Sequence, residues 1–105
     1  MIDIILDVNI PKKVKRLHSE GKVLHIGDID TAMDDEEILH LLSKFNSILV
    51  THDRKLAYAA SKKHRSLFIK ESLSADEIAL CLQKNRGLLK TASIFCENGR
   101  KCRNC

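Results

Sequence analysis

Short apolar runs separated by stretches of helical periodicity constrain this 105-residue chain more than any other feature it has. The runs are Ile2–Leu6, Val23–Ile26, Ile48–Thr51 and Leu67–Ile69. They are rich in β-branched residues and too short for buried helices. Their alternation with helical patterns predicts a parallel sheet with crossover helices. One domain is expected, because a second core would have too few residues to close. The domain should occupy residues 1–86, leaving 87–105 as a basic, cysteine-containing C-terminal extension. A short sheet of about four strands between two helix layers, an α/β/α sandwich, is the expected fold.

A first helix is predicted from about Pro11 to Glu20, capped by Asn9, ended by Gly21, and facing inward through Ile10, Val14 and Leu17. The second starts in Asp34-Asp35-Glu36-Glu37 and buries Ile38, Leu41, Leu42 and Phe45. A third follows Asp53 with Leu56, Ala59 and Ala60 inside. Ser74 and Glu77 form a capping box for a fourth, whose inner stripe is Ile78, Cys81 and Leu82. Right-handed crossovers leave few topologies open. The simplest puts the first strand at the centre, with the second on one side and the third on the other. Ligands in such sheets bind outside the carboxyl ends of the strands, where the winding direction changes.

Two acids fall at that crevice. Asp7 follows the first strand directly, and Asp53 closes Val50-Thr51-His52-Asp53 after the third. Tips of adjacent strands lie about 5 Å apart, within reach of one cation. Asp35 begins a helix that runs back from the same edge. Clustered carboxylates repel one another unless protons or a cation offset the charge. Oxygen-only donors favour Mg²⁺ or Mn²⁺ over Zn²⁺. Asn9 and Thr51 are placed to support a ligand or a metal-bound water. Taken singly, Asp35, Asp53 and Asn9 also read as helix caps, but Asp7 does not, since a charge directly after an apolar strand needs partners. Asp28, Asp30, Asp34, Glu36 and Glu37 crowd the same region as further donors or as acids at a helix N-terminus.

At these residues the sequence resembles the PIN-like domains, a class of metal-dependent nucleases that includes many prokaryotic toxins. Ile5-Leu6-Asp7-Val8-Asn9-Ile10-Pro11 is similar to the opening motif of that family. Asp34-Asp35-Glu36-Glu37-Ile38-Leu39 resembles its helix-starting acid, placed on Asp35, and Ile48-Leu49-Val50-Thr51-His52-Asp53 resembles its Thr-x-Asp strand end. The span from Val23 to Asp35 has no room for the extra helical segment of the larger members, which matches a short subgroup. The resemblance implies a metal-dependent endoribonuclease, with the toxin half of a toxin–antitoxin pair as one setting, and with Asp7, Asp35 and Asp53 catalytic and holding Mg²⁺ or Mn²⁺. It also implies RNA as partner, with an antitoxin, another protein or a second copy of the chain as further candidates. Lys55-Leu56 stands where many members have a second acid after Thr-x-Asp. A non-catalytic RNA- or protein-binding module is therefore the alternative. A receiver-like phosphoacceptor fits Asp7-Val8-Asn9 poorly.

The net charge of +4 is carried by the C-terminal fifth: residues 84–105 hold six Lys or Arg against one acid, while residues 1–83 hold 12 against 13. Such a tail favours a polyanionic partner, because neutralised phosphates release counterions; a solvated tail is the plain alternative. Cys96, Cys102 and Cys105 include a C-x2-C spacing that suits Zn²⁺ but lacks a fourth ligand, with oxidisable thiols as the alternative. Cys81 reads as a core residue, and the five histidines read as surface or loop residues. No apolar stretch is long enough to span a bilayer, and the N-terminus lacks a signal-peptide pattern, so a cytoplasmic, non-membrane protein is expected.

Overall fold

Ile4, Ile5 and Leu6 have no solvent exposure, and the alternation of their side chains between two sheet faces sets the architecture. The structure is a computed structural model and describes residues 1–18, 21–71 and 73–96. Its elements are β1 (Ile4–Leu6), α1 (Lys13–Leu17), β2 (Val23–His25), α2 (Asp35–Phe45), β3 (Ile48–Thr51), α3 (Arg54–Ser61), β4 (Arg65–Ile69), α4 (Ala75–Asn85) and β5 (Ile94–Cys96). The sheet is wholly parallel in the order β2-β1-β3-β4-β5. The central β1 with its two flanking neighbours is as expected, and the winding direction reverses between β1 and β3.

Two cores cover the two faces. Ile4, Leu6, Ile48, Val50, Leu67 and Ile69 pack with Val14 of α1 and with Ile78 and Leu82 of α4. Ile5 and Leu49 pack on the opposite face with Ile38 and Leu42 of α2 and with Leu56 and Ala60 of α3. The central strands β1 and β3 thus bury both sides, as parallel strands between helix layers do.

The placement of α4 departs from the usual winding. Helix α1 carries the chain from β1 outward to β2 on the first face. Helices α2 and α3 carry it the other way on the second face, which gives all three the same hand. Helix α4 moves in the direction of α2 and α3 yet lies on the face of α1, so its crossover has the opposite hand. About 98% of such crossovers share one hand. The expectation of uniform handedness therefore fails at the last unit, while α3 covers β4 on the second face, where the Ser66 hydroxyl donates to the Ala57 carbonyl at 2.8 Å.

Several local expectations change. The sheet has a fifth strand, with Phe95 in register with Phe68, so the sheet extends beyond residue 86. Helix α1 has five residues, and its N-cap, Lys12, makes no side-chain capping bond, so Asn9 is not the cap. Leu17 is exposed, whereas Ile10 and Val14 are buried as expected. In α2, Ile38 and Leu42 are buried while Leu41 and Phe45 are only partly so. In α3 it is Ala57, with Leu56 and Ala60, that is buried, and Ala59 is half-covered. The Ser74–Glu77 capping box of α4 is present in both directions. Asn46 ends α2 in the left-handed region at φ 51°, a conformation that Asn tolerates better than most residues.

Candidate functional site

Asp7 is the first residue beyond β1 and is only 4% exposed. One carboxylate oxygen accepts from the Val8 amide at 2.8 Å and the other from the Thr51 hydroxyl at 2.6 Å. Thr51, the last residue of β3, is fully buried, and its hydroxyl also accepts from the Asp53 amide at 2.9 Å. A single threonine therefore joins the ends of the two central strands. The sequence assigns Thr51 a ligand or a metal-bound water to support; the groups its hydroxyl bonds here are the Asp7 carboxylate and the Asp53 amide.

Asp53 is the N-cap of α3, accepting from the Lys55 and Leu56 amides at 2.9 and 3.2 Å through one oxygen. Its second oxygen has no hydrogen bond among the described residues. The cap of α2 is Asp34, which accepts from the Glu37 amide, so the capping explanation of Asp35 falls away. Asp35 occupies the first turn and makes no hydrogen bond among the described residues. Its carboxyl is raised above the ordinary value of 3.8, first by partial burial and then by the negative charges of Asp53, Asp7 and Asp34. The fold thus draws together three acids that lie far apart in sequence. Among the described residues, none of the three has an ion-pair partner.

The neighbouring acids have other duties. Asp28 pairs with Lys12 at 3.0 Å and Lys15 at 3.4 Å, which hold its carboxyl below the usual range. Asp30 accepts from the Ala32 amide. Asp34, Glu36 and Glu37 line a groove of about 440 Å³ with Met33, His40 and Leu41 beside the acid cluster. Asn9 is exposed in the turn after Asp7. Among the described residues no three His, Cys, Asp or Glu side chains stand close enough to share a metal ion as placed here.

The histidines correct the sequence reading. His18 and His25 are buried, and His64 is half-buried. Nδ1 of His25 accepts from the Gly27 amide at 2.9 Å, so Nε2 carries the proton and donates to the Ile10 carbonyl at 2.6 Å. His25 thus anchors the turn after Asp7 to β2. A Cβ on Gly27 would stand 3.0 Å from the His25 ring, which leaves little room for a side chain there. His52 bonds to the Ile69 carbonyl at 2.6 Å and ties the β3–α3 turn to the end of β4. Neither contact had a local pattern to announce it.

Cys81 is fully buried, and both Cys81 and Cys96 are disulfide-bonded. A disulfide sulfur has no thiolate to offer a zinc ion. Cys102 and Cys105, the other two expected zinc ligands, lie outside the described residues, as do Arg100, Lys101 and Arg103 of the basic tail. Among the described residues, no helix is long and apolar enough to cross a membrane. Compared with family models, with curated proteins and with solved structures, the chain finds no match.

Proposed function

We propose that the protein is a metal-dependent endoribonuclease of PIN-like type, with Asp7, Asp35 and Asp53 as its acid site. The observation that carries this reading is the gathering of three carboxylates, without ion-pair partners among the described residues, at the switch point of a parallel sheet, where burial and then the charges of Asp53 and Asp7 raise the proton affinity of Asp35. A divalent cation fits the chemistry of this donor set, which is all oxygen and carries excess negative charge. When bound, Mg²⁺ or Mn²⁺ would supply Lewis acidity toward a phosphodiester and a more acidic water.

The remaining work falls to the chain. Thr51 and the Val8 amide hold the Asp7 carboxylate in one orientation. The first turn of α3 fixes one oxygen of Asp53 and leaves the other without a hydrogen bond among the described residues, while Asp35 comes from the first turn of α2. Hydrolysis would join water to phosphorus and break the bond to the 3′ oxygen, leaving a 5′-phosphate and a 3′-hydroxyl. A toxin acting with an antitoxin is one setting for such an activity.

A second reading is favoured by a specific observation. Both oxygens of Asp7 are already hydrogen-bonded, and the three acids do not form a closed coordination sphere. An RNA- or protein-binding module without turnover would keep this arrangement.

Cleavage of single-stranded RNA by purified protein with Mn²⁺ tests the choice. Asp53→Asn should lower the rate by about 100-fold or more, since it removes charge from the site. Asn remains a good N-cap, so the fold should be little affected. Equal trace cleavage by wild type and variant would point to a contaminant and leave the binding module.

A further inference from the structure

Helix α3 opens with the wrong charge for its place. The partly positive N-terminal end of a helix favours acids. Helix α2 carries Asp35, Glu36 and Glu37 in its first turn, and α4 carries Asp76 and Glu77. The first turn of α3 has no acid and begins Arg54-Lys55. Arg54 lies over the Phe68 ring at 5.7 Å. The Lys55 side chain is exposed and makes no hydrogen bond or ion pair among the described residues. Lys12, Lys13 and Lys15, at the start of α1, are by contrast paired with Asp28 and Asp76.

Lys55 is fastened beside the acid site through its backbone, whose amide donates to Asp53 at 2.9 Å. Helical side chains lean toward the N-terminus of their own helix, so its stem runs back toward the carboxyl edge of the sheet, where Asp53 stands. Lys55 lines a groove with Tyr58 and with Phe95 of β5. Asp35 belongs to α2, which packs on Ile5 and Leu49 of β1 and β3. Along the sheet, Asp53 therefore lies between Asp35 and Lys55. The charges felt by Asp35 are those of Asp53, Asp7 and Asp34, all negative, so the Lys55 ammonium is not engaged by the acid cluster.

We infer that Lys55 is a positioning residue whose ammonium holds the RNA phosphate next to the scissile one, an inference that rests on the function proposed above. Three carboxylates repel a polyanion, and one divalent cation among them still leaves net negative charge. A phosphate bound through that cation sits at Asp7, Asp35 and Asp53. The next phosphate along the strand, on the side of Asp53 away from Asp35, meets Lys55. A compact ammonium on a flexible stem suits this contact, because it binds phosphate as a point charge and needs no fixed fork geometry.

Binding of a fluorescent oligo-uridine to the full chain, at low salt and in EDTA so that cleavage plays no part, tests the contact. Lys55→Gln should weaken binding about fivefold, as for one exposed ion pair. It should also reduce the log–log salt slope by about 0.7, the value of one phosphate contact on a single strand. Lys55→Arg should restore both. An oligo-uridine with a neutral methylphosphonate backbone should bind wild type and Lys55→Gln alike. Lys55→Gln should melt at or above the wild-type temperature, since a cation leaves a helix N-terminus. Equal salt slopes for wild type and Lys55→Gln, or a difference in affinity that persists on the neutral backbone, would overturn the contact. A protein that cleaves RNA with equal slopes keeps the nuclease without this contact. One that never cleaves but shows the Lys55 dependence keeps the contact on a binding module.

Discussion

The two ends of the sheet treat their polar groups in opposite ways. At the amino end, Asp3 accepts from the Lys22 amide, Ser47 donates to the Ile2 carbonyl, and Arg65 donates to the Asn46 and Lys90 carbonyls at 3.2 and 2.9 Å. Polar side chains there join one loop to another. At the carboxyl end, Asp7, Asp35 and Asp53 converge without an ion-pair partner among the described residues, and Thr51, the Val8 amide and a helix N-terminus hold two of the three in place. The first arrangement adds stability, whereas the second spends some of it to hold like charges together. A substitution should therefore cost stability alone at the amino end. At the carboxyl end it should alter activity, and in one case relieve strain.

Thr51→Val should give the largest change in stability. It preserves shape but strands a buried carboxylate oxygen and the Asp53 amide. The cost should be about 2 kcal/mol, or roughly 10 °C in melting temperature for a domain of this size. Cleavage should fall with it, because Asp7 loses its orientation. A Thr51→Val protein that melts like wild type would mean that the two strand ends hold their positions without the hydroxyl.

Arg65→Ala sharpens the contrast from the other end. It removes two hydrogen bonds to carbonyls and should cost about 1 kcal/mol with the cleavage rate unchanged. Loss of activity at constant stability would show that the amino end is coupled to the site.

The smallest effect is expected for Asp35→Asn in metal-free protein, read as the pH dependence of melting. The folded-state value for Asp35 is raised, so the native state holds that proton more tightly than the unfolded chain does. Stability from this group is therefore present at low pH and is lost as pH rises from near 3.8 through the raised value. Asp35→Asn should remove that part of the slope, whatever constant offset it adds at the helix terminus. Superimposable slopes for the two proteins would show that neither burial nor the charges of Asp53 and Asp7 raise the Asp35 carboxyl.

Much of this was legible in residues 1–85. Strand runs, the central place of β1 and the Ser74–Glu77 box follow from periodicity and capping chemistry, which are local signals. The approach of Asp7 to Asp53 follows from strand adjacency. Assignment of the α2 cap was a different matter, since Asp34 and Asp35 both suit an N-cap and only the backbone distinguishes them. Strand β5 was missed because Ile94-Phe95-Cys96 is three residues long and borders a polar tail. The reversed hand of α4 has no local signature, because it depends on which face remains to be covered once three helices have packed.

The dependence of β1 on α4 has a consequence for synthesis on the ribosome. Ile4 and Leu6 emerge before Ile78 and Leu82, with which they share a core. At about 5–20 residues per second, the nascent chain carries these side chains without their final cover for roughly 4–15 s. The link from Asp7 to Thr51 likewise waits for β3. An acid site built this way is complete only after most of the chain has been made, so a truncated nascent product would hold the acids without the sheet that positions them.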